Sequence, residues 1–146
     1  MTQILIHDVG PRDGLQVEAQ VVPTEVKLGW LRRLIGSGLD IVQVGSFVHP
    51  QKVPQMADTD ELFRQLAATR ASGDAVLSGL VLNEKGLERG LACGVEMFCM
   101  GVSASATHSR KNTGMDTEDA TRRIITTALE AQAAGRDVQV SVQSAF

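Results

Sequence analysis

The chain has 146 residues, a formal net charge of -3, 43% hydrophobic residues and 21% charged residues, a composition typical of soluble globular proteins. With only 3% aromatic residues and no basic stripe, nucleic acid is excluded as an expected partner, and the apolar runs are too short to span a membrane. Because Cys93 and Cys99 lack a Cys-x-x-Cys spacing and the N-terminus does not resemble a signal peptide, we expect a cytoplasmic protein with free thiols.

Short apolar runs alternate with longer segments of helical periodicity, which predicts an α/β fold of parallel strands joined by right-handed helical crossovers. The strands are rich in Val, Ile and Leu with little alternation, as expected when both faces of a sheet are covered. Strands are predicted at residues 3–9, 41–44, 75–82, 95–100 and 138–142. Helices are predicted from Thr24 to Gly36, from about Thr59, from Asn83 to the region of Gly90–Gly94, and from Thr117 to Gly135.

Apolar stripes identify the side of each helix that we expect to face the sheet. In the first helix the stripe consists of Val26, Trp30, Leu31, Leu34 and Ile35. In the helix that begins near Thr59 it consists of Leu62, Phe63 and Leu66. The last helix is predicted to have Thr117 as its N-cap, acidic residues in its first turn, and a stripe of Ala120, Ile124, Ile125, Ala128 and Leu129.

The segment that follows the first predicted strand contains the most informative motif, Val9-Gly10-Pro11-Arg12-Asp13-Gly14-Leu15-Gln16. It presents a guanidinium and a carboxylate together, and strand ends are where the active sites of (β/α) barrels lie. A carboxylate suits a hard divalent cation, whereas a guanidinium can stabilise an oxyanion. The alternative interpretation is a surface turn with a local pair between Arg12 and Asp13.

This motif resembles the N-terminal motif of hydroxymethylglutaryl-CoA lyases. That family belongs to a metal-dependent barrel superfamily that also contains isopropylmalate, citramalate and homocitrate synthases, in which a longer Thr-Thr-Leu-Arg-Asp-Gly version is usual. Two further segments are similar to loops of the same family: Gly45–Pro50 with Val53–Met56 resembles the loop after the second strand, and Ser103–Asn112 resembles the loop after the fourth. Three motifs in the family's order make the resemblance specific.

The resemblance implies a (β/α)8 barrel of the triosephosphate isomerase (TIM) type, and the chain is short for such a domain. A complete barrel takes roughly 250 residues and eight strands, whereas five strand candidates are present here. We therefore expect residues 1–146 to be the N-terminal part of a single barrel domain, with about the first five βα steps.

The resemblance also implies a reaction and a set of residues. Lyases of this family cleave a 3-hydroxy-3-methylglutaryl thioester to acetoacetate and acetyl-CoA with the help of a divalent cation, Mg²⁺ or Mn²⁺. By match to the motif, Asp13 is a metal ligand and Arg12 is a catalytic residue that stabilises oxyanion charge. Gln16 and Ser46 are candidates for substrate binding, although Gln16 is equally well interpreted as a polar turn residue. For Lys111 and Asn112, which could meet acyl-CoA phosphates, we favour solvent exposure.

Two positions depart from the family pattern. Gln43 stands where lyases usually carry a glutamate, which keeps the hydrogen-bonding shape but removes the charge. Ala106 stands where they commonly carry another glutamate, in Ser-Glu-x-Phe. We include Gln43 and His108 among the substrate-binding candidates, with an exposed loop histidine as the alternative for His108. The departures predict a different substrate, either another branched 3-hydroxyacyl-CoA or a 2-oxoacid.

The family's remaining metal ligands, in a His-x-His pattern on a later strand, have no counterpart here, since His7, His49 and His108 lie in separate segments. A lone carboxylate is a poor divalent site, so we expect the 146-residue chain by itself to be inactive and the parent protein to be a homo-oligomeric (dimeric) lyase. Two alternatives remain: an acyl-CoA/2-oxoacid condensing synthase of the same superfamily, and a non-catalytic half-barrel module that associates through its open strand edges.

Overall fold

The five strands follow one another across a single sheet in sequence order, and every neighbouring pair is parallel. The computed structural model describes residues 4–145, in which the sheet curls into a partial (β/α) barrel with the helices outside. The predicted fold class is therefore confirmed. The elements are β1 (His7–Asp8), α1 (Thr24–Ile35), β2 (Ile41–Ser46), α2 (Thr59–Ala67), β3 (Val76–Leu80), α3 (Glu84–Cys93), β4 (Met97–Ser103), α4 (Ala106–Thr113), α5 (Thr117–Ala133) and β5 (Asp137–Gln143).

Local sequence signals explain where several helices begin and end. The side chain of Asn83 accepts a hydrogen bond from the Gly86 backbone N–H at 2.9 Å, so the predicted cap of α3 is confirmed. Gly94 ends α3 in the left-handed conformation, with φ +86°. The predicted cap of α5 was wrong by one residue. Asp116 is the N-cap, because its Oδ1 accepts from the Asp119 N–H at 2.9 Å and Thr117 is already helical.

The main core lies between the outer face of the sheet and the helices. Its strand residues include Val42, Val44, Leu77, Phe98 and Met100, all almost fully buried. The predicted contribution of α2 is confirmed, since Leu62, Phe63 and Leu66 are buried.

The predicted stripe of α1 was partly wrong. Leu31 and Ile35 are buried as expected, but Val26 and Trp30 are exposed. The buried face instead includes Lys27, whose ammonium group donates to Asp58 Oδ1 at 2.7 Å and to the Gln55 carbonyl at 2.5 Å. A lysine is tolerated there because its charge is paired, and this pairing turns the helix away from the predicted orientation.

The predicted stripe of α5 was also partly wrong. Ala120 and Ile124 are buried, whereas Ile125 and Leu129 are exposed. Thr127 and Ala131 take their place in the interface with the sheet. Small residues at those positions let α5 lie close to β4 and β5, which it contacts.

The first strand is much shorter than predicted. Only His7 and Asp8 pair with β2, and Ile4, Leu5 and Ile6 are exposed rather than buried. Gln3, the first residue of the predicted strand, lies outside the described residues. The apolar run is exposed because, within residues 4–145, β1 has a strand neighbour on one side only.

Helix α4 is an addition to the prediction, which treated the segment after β4 as a loop. Ser105 caps it by accepting a hydrogen bond from the His108 N–H at 3.4 Å, and Gly114 ends it with φ +75°. The helix lacks an apolar stripe, since Ser109 is its one buried residue. Cys93 and Cys99 are buried free thiols, as expected. In residues 4–145, no helix combines the length and the apolar character that a bilayer crossing requires.

Candidate active site

The motif at the end of β1 forms a tight turn, Gly10–Gly14, that lies next to β2. The Val9 carbonyl accepts hydrogen bonds from the backbone N–H groups of Arg12 at 3.1 Å and Asp13 at 2.8 Å. Glycine at both ends and Pro11 within suit such a turn. The turn gives its two charged side chains different environments. The Arg12 side chain is 17% exposed, whereas that of Asp13 is 67% exposed.

Arg12 is the centre of a small polar cluster. Its Nε donates to Gln43 Oε1 at 2.6 Å, and its Nη1 donates to Asp13 Oδ1 at 2.8 Å. A guanidinium has five N–H donors, so these two bonds leave donors for an anionic oxygen of a ligand. The structure thus brings together three of the predicted site residues, Arg12, Asp13 and Gln43.

A register shift in β2 puts Gln43 and Ser46 on the same face of the sheet. In a regular strand, residues three apart point to opposite faces. Here Gln43 pairs with Ser78, but Ser46 pairs with Leu80 after an irregularity between Gln43 and Gly45. Both side chains are consequently on the inner face, and Ser46 Oγ donates to Gln16 Oε1 at 3.5 Å. Gln43 lies in the middle of β2 rather than at its end.

The described residues do not form a complete metal centre. In residues 4–145, no three His, Cys, Asp or Glu side chains come together as a ligand group. Asp13 offers one carboxylate, already paired with Arg12 through Oδ1, and the nearby Asp8 uses its Oδ1 to accept from the Gly10 N–H at 3.0 Å. A divalent cation needs more donors than this, so the segment supplies at most part of a site.

A cavity of about 520 Å³ opens beside the carboxyl ends of β2, β3 and β4. Its lining combines apolar side chains with basic and neutral polar ones, and within residues 4–145 it has no carboxylate. A cavity with this lining favours a ligand that is anionic in one part and apolar in another. The polar lining residues are Gln16, His49, Lys52, Asn83, Ser103, His108, Ser109, Asn112, Thr113, Arg123 and Gln143.

His108 lines this cavity from α4 and is half-buried, so the interpretation as an exposed loop residue was wrong. Its Nδ1 lies 3.1 Å from Ser103 Oγ, and its Nε2 lies 3.0 Å from Asn112 Nδ2. Asn112 is exposed, as expected, but it also borders the cavity. Two hydrogen bonds hold the imidazole ring in a fixed orientation at the cavity wall.

The predicted residues therefore form two groups rather than one. Arg12, Asp13 and Gln43 form the cluster at the end of β1, and His108 belongs to the cavity wall. Gln16 lies between them, since it contacts Ser46 and also lines the cavity. Sequence reasoning missed Ser103, Lys52 and Arg123. The position of Ser103 at the end of β4 was a usable signal, whereas the other two needed the tertiary structure.

The chain is similar in sequence to a known family of lyases. The profile of the family described as HMGL-like matches residues 3–146. A hydroxymethylglutaryl-CoA lyase of Bacillus subtilis is 33% identical over 144 residues, which cover 99% of this chain and 47% of that protein. The mitochondrial hydroxymethylglutaryl-CoA lyase of Mus musculus is 35% identical, covering 99% and 43%. The (R)-citramalyl-CoA lyase of Chloroflexus aurantiacus is 32% identical, covering 100% and 48%.

Solved structures show the same relationship. The crystal structure of the B. subtilis HMG-CoA lyase superposes with a TM-score of 0.90 at 34% identity, covering 96% of this chain and 46% of that one. An HMG-CoA lyase from A. baumannii, in complex with coenzyme A and 3-methylmalate, superposes with a TM-score of 0.86 at 29% identity, covering 97% and 47%. The chain thus spans about half the length of the curated relatives that it matches.

Proposed function

Because the chain belongs to the HMGL-like family, we propose that it is the N-terminal part of a single (β/α)8 barrel in a carbon–carbon lyase. The reaction is the cleavage of a 3-hydroxyacyl-CoA to an acyl-CoA and a keto acid. The observation that carries the proposal is the cluster at the end of β1, where the buried Gln43 oxygen holds Arg12 next to the exposed Asp13. Strand ends of this kind are where barrel enzymes do their chemistry.

In this proposal Arg12 stabilises negative charge on substrate oxygen. The substrate loses its 3-hydroxyl proton, the bond between carbons 2 and 3 breaks, and its electron pair passes to the departing thioester enolate, which then takes up a proton. Negative charge on oxygen rises during these steps, and an oriented guanidinium stabilises it without further reorganisation. Removing one donor of this kind typically costs about 10²–10³ in rate.

A divalent cation, Mg²⁺ or Mn²⁺, completes the proposed site. When bound, such an ion supplies Lewis-acid polarisation and orients oxygen ligands. Asp13 would contribute one ligand, because its carboxylate is mostly exposed and only one of its oxygens is paired with Arg12. Residues 4–145 do not supply a complete set of ligands, so in this proposal further ligands come from elsewhere in the full-length protein. For this reason we predict that the 146-residue chain alone is inactive.

The cavity supports an acyl-CoA as the substrate class. Lys52, His49 and His108 give it basic and hydrogen-bonding character, whereas Phe47 and Ile124 give it apolar walls. An acyl-CoA thioester has a negatively charged carrier and an apolar acyl part. These two parts match the basic and the apolar parts of the cavity lining. Of the lining residues, Gln16 is also in contact with Ser46, which connects the cavity to the reacting end of the proposed site.

The neutral Gln43 supports a substrate other than 3-hydroxy-3-methylglutaryl-CoA. Its oxygen accepts the Arg12 Nε–H but carries no charge to offset the guanidinium. The site therefore keeps more positive charge than one with glutamate here. We propose that another branched 3-hydroxyacyl-CoA is the preferred substrate. The alternative, condensation of an acyl-CoA with a 2-oxoacid, would use the same extra positive charge to bind the oxoacid carboxylate.

Exposed apolar residues support the assignment to part of a larger barrel. Ile125 and Leu129 on α5 and Val140 and Val142 on β5 are exposed on neighbouring elements. A further βα unit would cover them. Pairing of two half-barrels would also cover them. Light scattering at several concentrations distinguishes a monodisperse dimer of the 146-residue chain from an aggregating fragment.

The cytoplasmic location and the homodimeric state of the parent protein stay predictions.

Product analysis tests the proposal. The full-length protein is incubated with Mg²⁺ or Mn²⁺ and, separately, with 3-hydroxy-3-methylglutaryl-CoA, citramalyl-CoA and longer branched 3-hydroxyacyl-CoAs, and the products are identified by mass spectrometry. Release of an acyl-CoA and a keto acid is expected from at least one substrate. Condensation of acetyl-CoA with a 2-oxoacid, without cleavage of any 3-hydroxyacyl-CoA, would replace the lyase assignment by the synthase.

A further inference from the structure

Arg89 lies on α3, outside the sheet, and its guanidinium contacts the segment that follows β2. Its Nη1 donates to the Val48 carbonyl at 3.2 Å, and its Cζ lies 5.5 Å from the centre of the Phe47 ring. Its Nε and Nη2 donate to Asp60 Oδ2 on α2 at 3.1 and 2.8 Å. Because these hydrogen bonds use three different nitrogen atoms, one side chain joins two helices and a loop at the same time.

The ring of Phe47, the first residue of this segment, is held from several sides. The Phe63 ring stacks on it, with the two centroids 5.7 Å apart. Two glycines make room for it, because a Cβ at Gly79 would lie 2.8 Å from Phe47 Cε2 and a Cβ at Gly86 would lie 3.1 Å from the Phe47 carbonyl oxygen. The Arg89 guanidinium lies over the ring as well, which is a favourable arrangement for a cation and an aromatic face.

The segment of residues 47–53, which we call the β2 loop, forms one wall of the cavity. The loop residues that line the cavity are Phe47, Val48, His49, Lys52 and Val53. Within the loop, the His49 carbonyl accepts hydrogen bonds from the backbone N–H groups of Lys52 at 2.9 Å and Val53 at 3.1 Å. These bonds fix the shape of the loop, whereas the contacts with Arg89 attach its first part to the outer helices.

We propose that Arg89 is a positioning residue for ligand binding. It holds the β2 loop so that His49 and Lys52 stay at the cavity wall, where they meet the anionic part of an acyl-CoA. Arg89 itself does not line the cavity, and it therefore acts through Phe47 and Val48. The part of this proposal that concerns the ligand rests on the proposed function, whereas the effect on the loop does not.

Two variants separate this role from a purely structural one, in which the ion pair between Arg89 and Asp60 only joins α3 to α2. Arg89→Gln removes the ion pair and the cation over the Phe47 ring together. Arg89→Lys keeps a charge that can pair with Asp60. Its ammonium lacks the planar fork that reaches Asp60 and the Val48 carbonyl at once, so the hold on the loop is lost.

Arg70 provides a matched control. Like Arg89, it is partly buried, ion-paired and bonded to a backbone carbonyl, because its Nη2 donates to Glu96 Oε1 at 3.0 Å and its Nη1 to the Ala75 carbonyl at 2.8 Å. Ala75 and Glu96 directly precede β3 and β4, and none of these three residues lines the cavity. Urea unfolding first checks that Arg70→Gln and the Arg89 variants unfold cooperatively and have comparable free energies of unfolding.

The first measurement is amide hydrogen exchange of the full-length protein, followed by mass spectrometry of the peptide that contains residues 47–53. Arg89→Gln and Arg89→Lys should both speed its exchange by about three- to tenfold, the worth of one hydrogen bond, and Arg70→Gln should leave it unchanged. Unchanged exchange in both Arg89 variants, or equal acceleration in Arg70→Gln, would overturn the proposal. Acceleration in Arg89→Gln but not in Arg89→Lys would also overturn it, because the ion pair with Asp60 would then be sufficient.

The second measurement is the affinity of the full-length protein for coenzyme A, by isothermal titration calorimetry, together with kcat and KM on the best substrate. Both Arg89 variants should raise Kd and KM by about three- to tenfold with kcat unchanged, and Arg70→Gln should change neither. A wild-type Kd in a variant whose loop exchanges faster would overturn the link between Arg89 and the ligand. A wild type that binds no coenzyme A would count against the acyl-CoA proposal, and hydrogen exchange would then decide whether Arg89 holds the loop.

Discussion

The hydrogen bond from Arg12 Nε to Gln43 Oε1, 2.6 Å long, joins the turn after β1 to the middle of β2. Its acceptor is a neutral side chain that is 2% exposed, and its donor is a cation that keeps further N–H groups free for a ligand. Charge-assisted hydrogen bonds of this kind are stronger than those between neutral groups. The bond therefore fixes the position of the guanidinium, and the neutral acceptor does not offset its positive charge.

Replacing His108 by Ala should weaken binding of the acyl-CoA without changing the chemical step. His108 borders the cavity and is oriented by Ser103 and Asn112. Loss of one hydrogen bond is worth about 0.5–1.5 kcal/mol, which is about two- to tenfold in KM. Steady-state kinetics of the full-length protein measure this, with the exposed neighbour Arg110→Ala, outside the cavity lining, as the control. A fall in kcat at constant KM would contradict the assignment.

The stability of the protein should decrease below about pH 6.5 because of His7. Burial lowers its pKa in the native state, so the unfolded chain takes up a proton at a higher pH than the folded chain does. The free energy of unfolding then falls as the pH decreases through this range, by at most about 1.4 kcal/mol per pH unit. Urea unfolding between about pH 7.5 and 5.5 measures the slope. His7→Gln should reduce it; an identical slope in the variant would exclude His7 as the cause.

Two helical glycines should respond in opposite ways to replacement by alanine. A Cβ at Gly90 in α3 would lie 2.5 Å from Phe98 Cε1, a buried ring atom, whereas a Cβ at Gly29 in α1 meets nothing within 4 Å. We expect Gly90→Ala to destabilise by about 1–3 kcal/mol through overpacking and Gly29→Ala to stabilise by about 0.5–1 kcal/mol. Urea unfolding measures the free energy of unfolding of both variants. Equal changes in the two variants would contradict the close contact between Gly90 and Phe98.

The fold followed from sequence because β2, β3 and β4 lie in short apolar runs and several helices have clear signals, such as the Asn83 cap of α3 and Gly94 after it. The motif with Arg12 and Asp13 likewise identified the cluster at the end of β1. Helix α4 was not predictable from periodicity, since it has a polar sequence with one buried residue. The common face of Gln43 and Ser46 depends on the irregularity in β2, which strand periodicity alone does not reveal.

The choice of buried stripe was the main error of the sequence analysis, and it has a physical cause. In α1, helical spacing is compatible with a buried stripe that contains either Trp30 or Lys27. Hydrophobicity alone favours the stripe that contains Trp30. The structure buries Lys27 because Asp58, which lies 31 residues away in sequence, pairs with it at 2.7 Å. Such a partner is set by the tertiary fold, so a local pattern cannot identify it.

The most direct test of the account is the turnover of the full-length protein with and without the Arg12 guanidinium. Arg12→Gln keeps hydrogen-bonding capacity but removes the charge, and the rate of keto acid release from the best 3-hydroxyacyl-CoA is compared with that of the wild type in Mg²⁺ or Mn²⁺. We predict a fall in kcat of about 10²–10³ with the fold intact. A variant that cleaves the thioester at the wild-type rate would contradict the assignment of the active site to the end of β1.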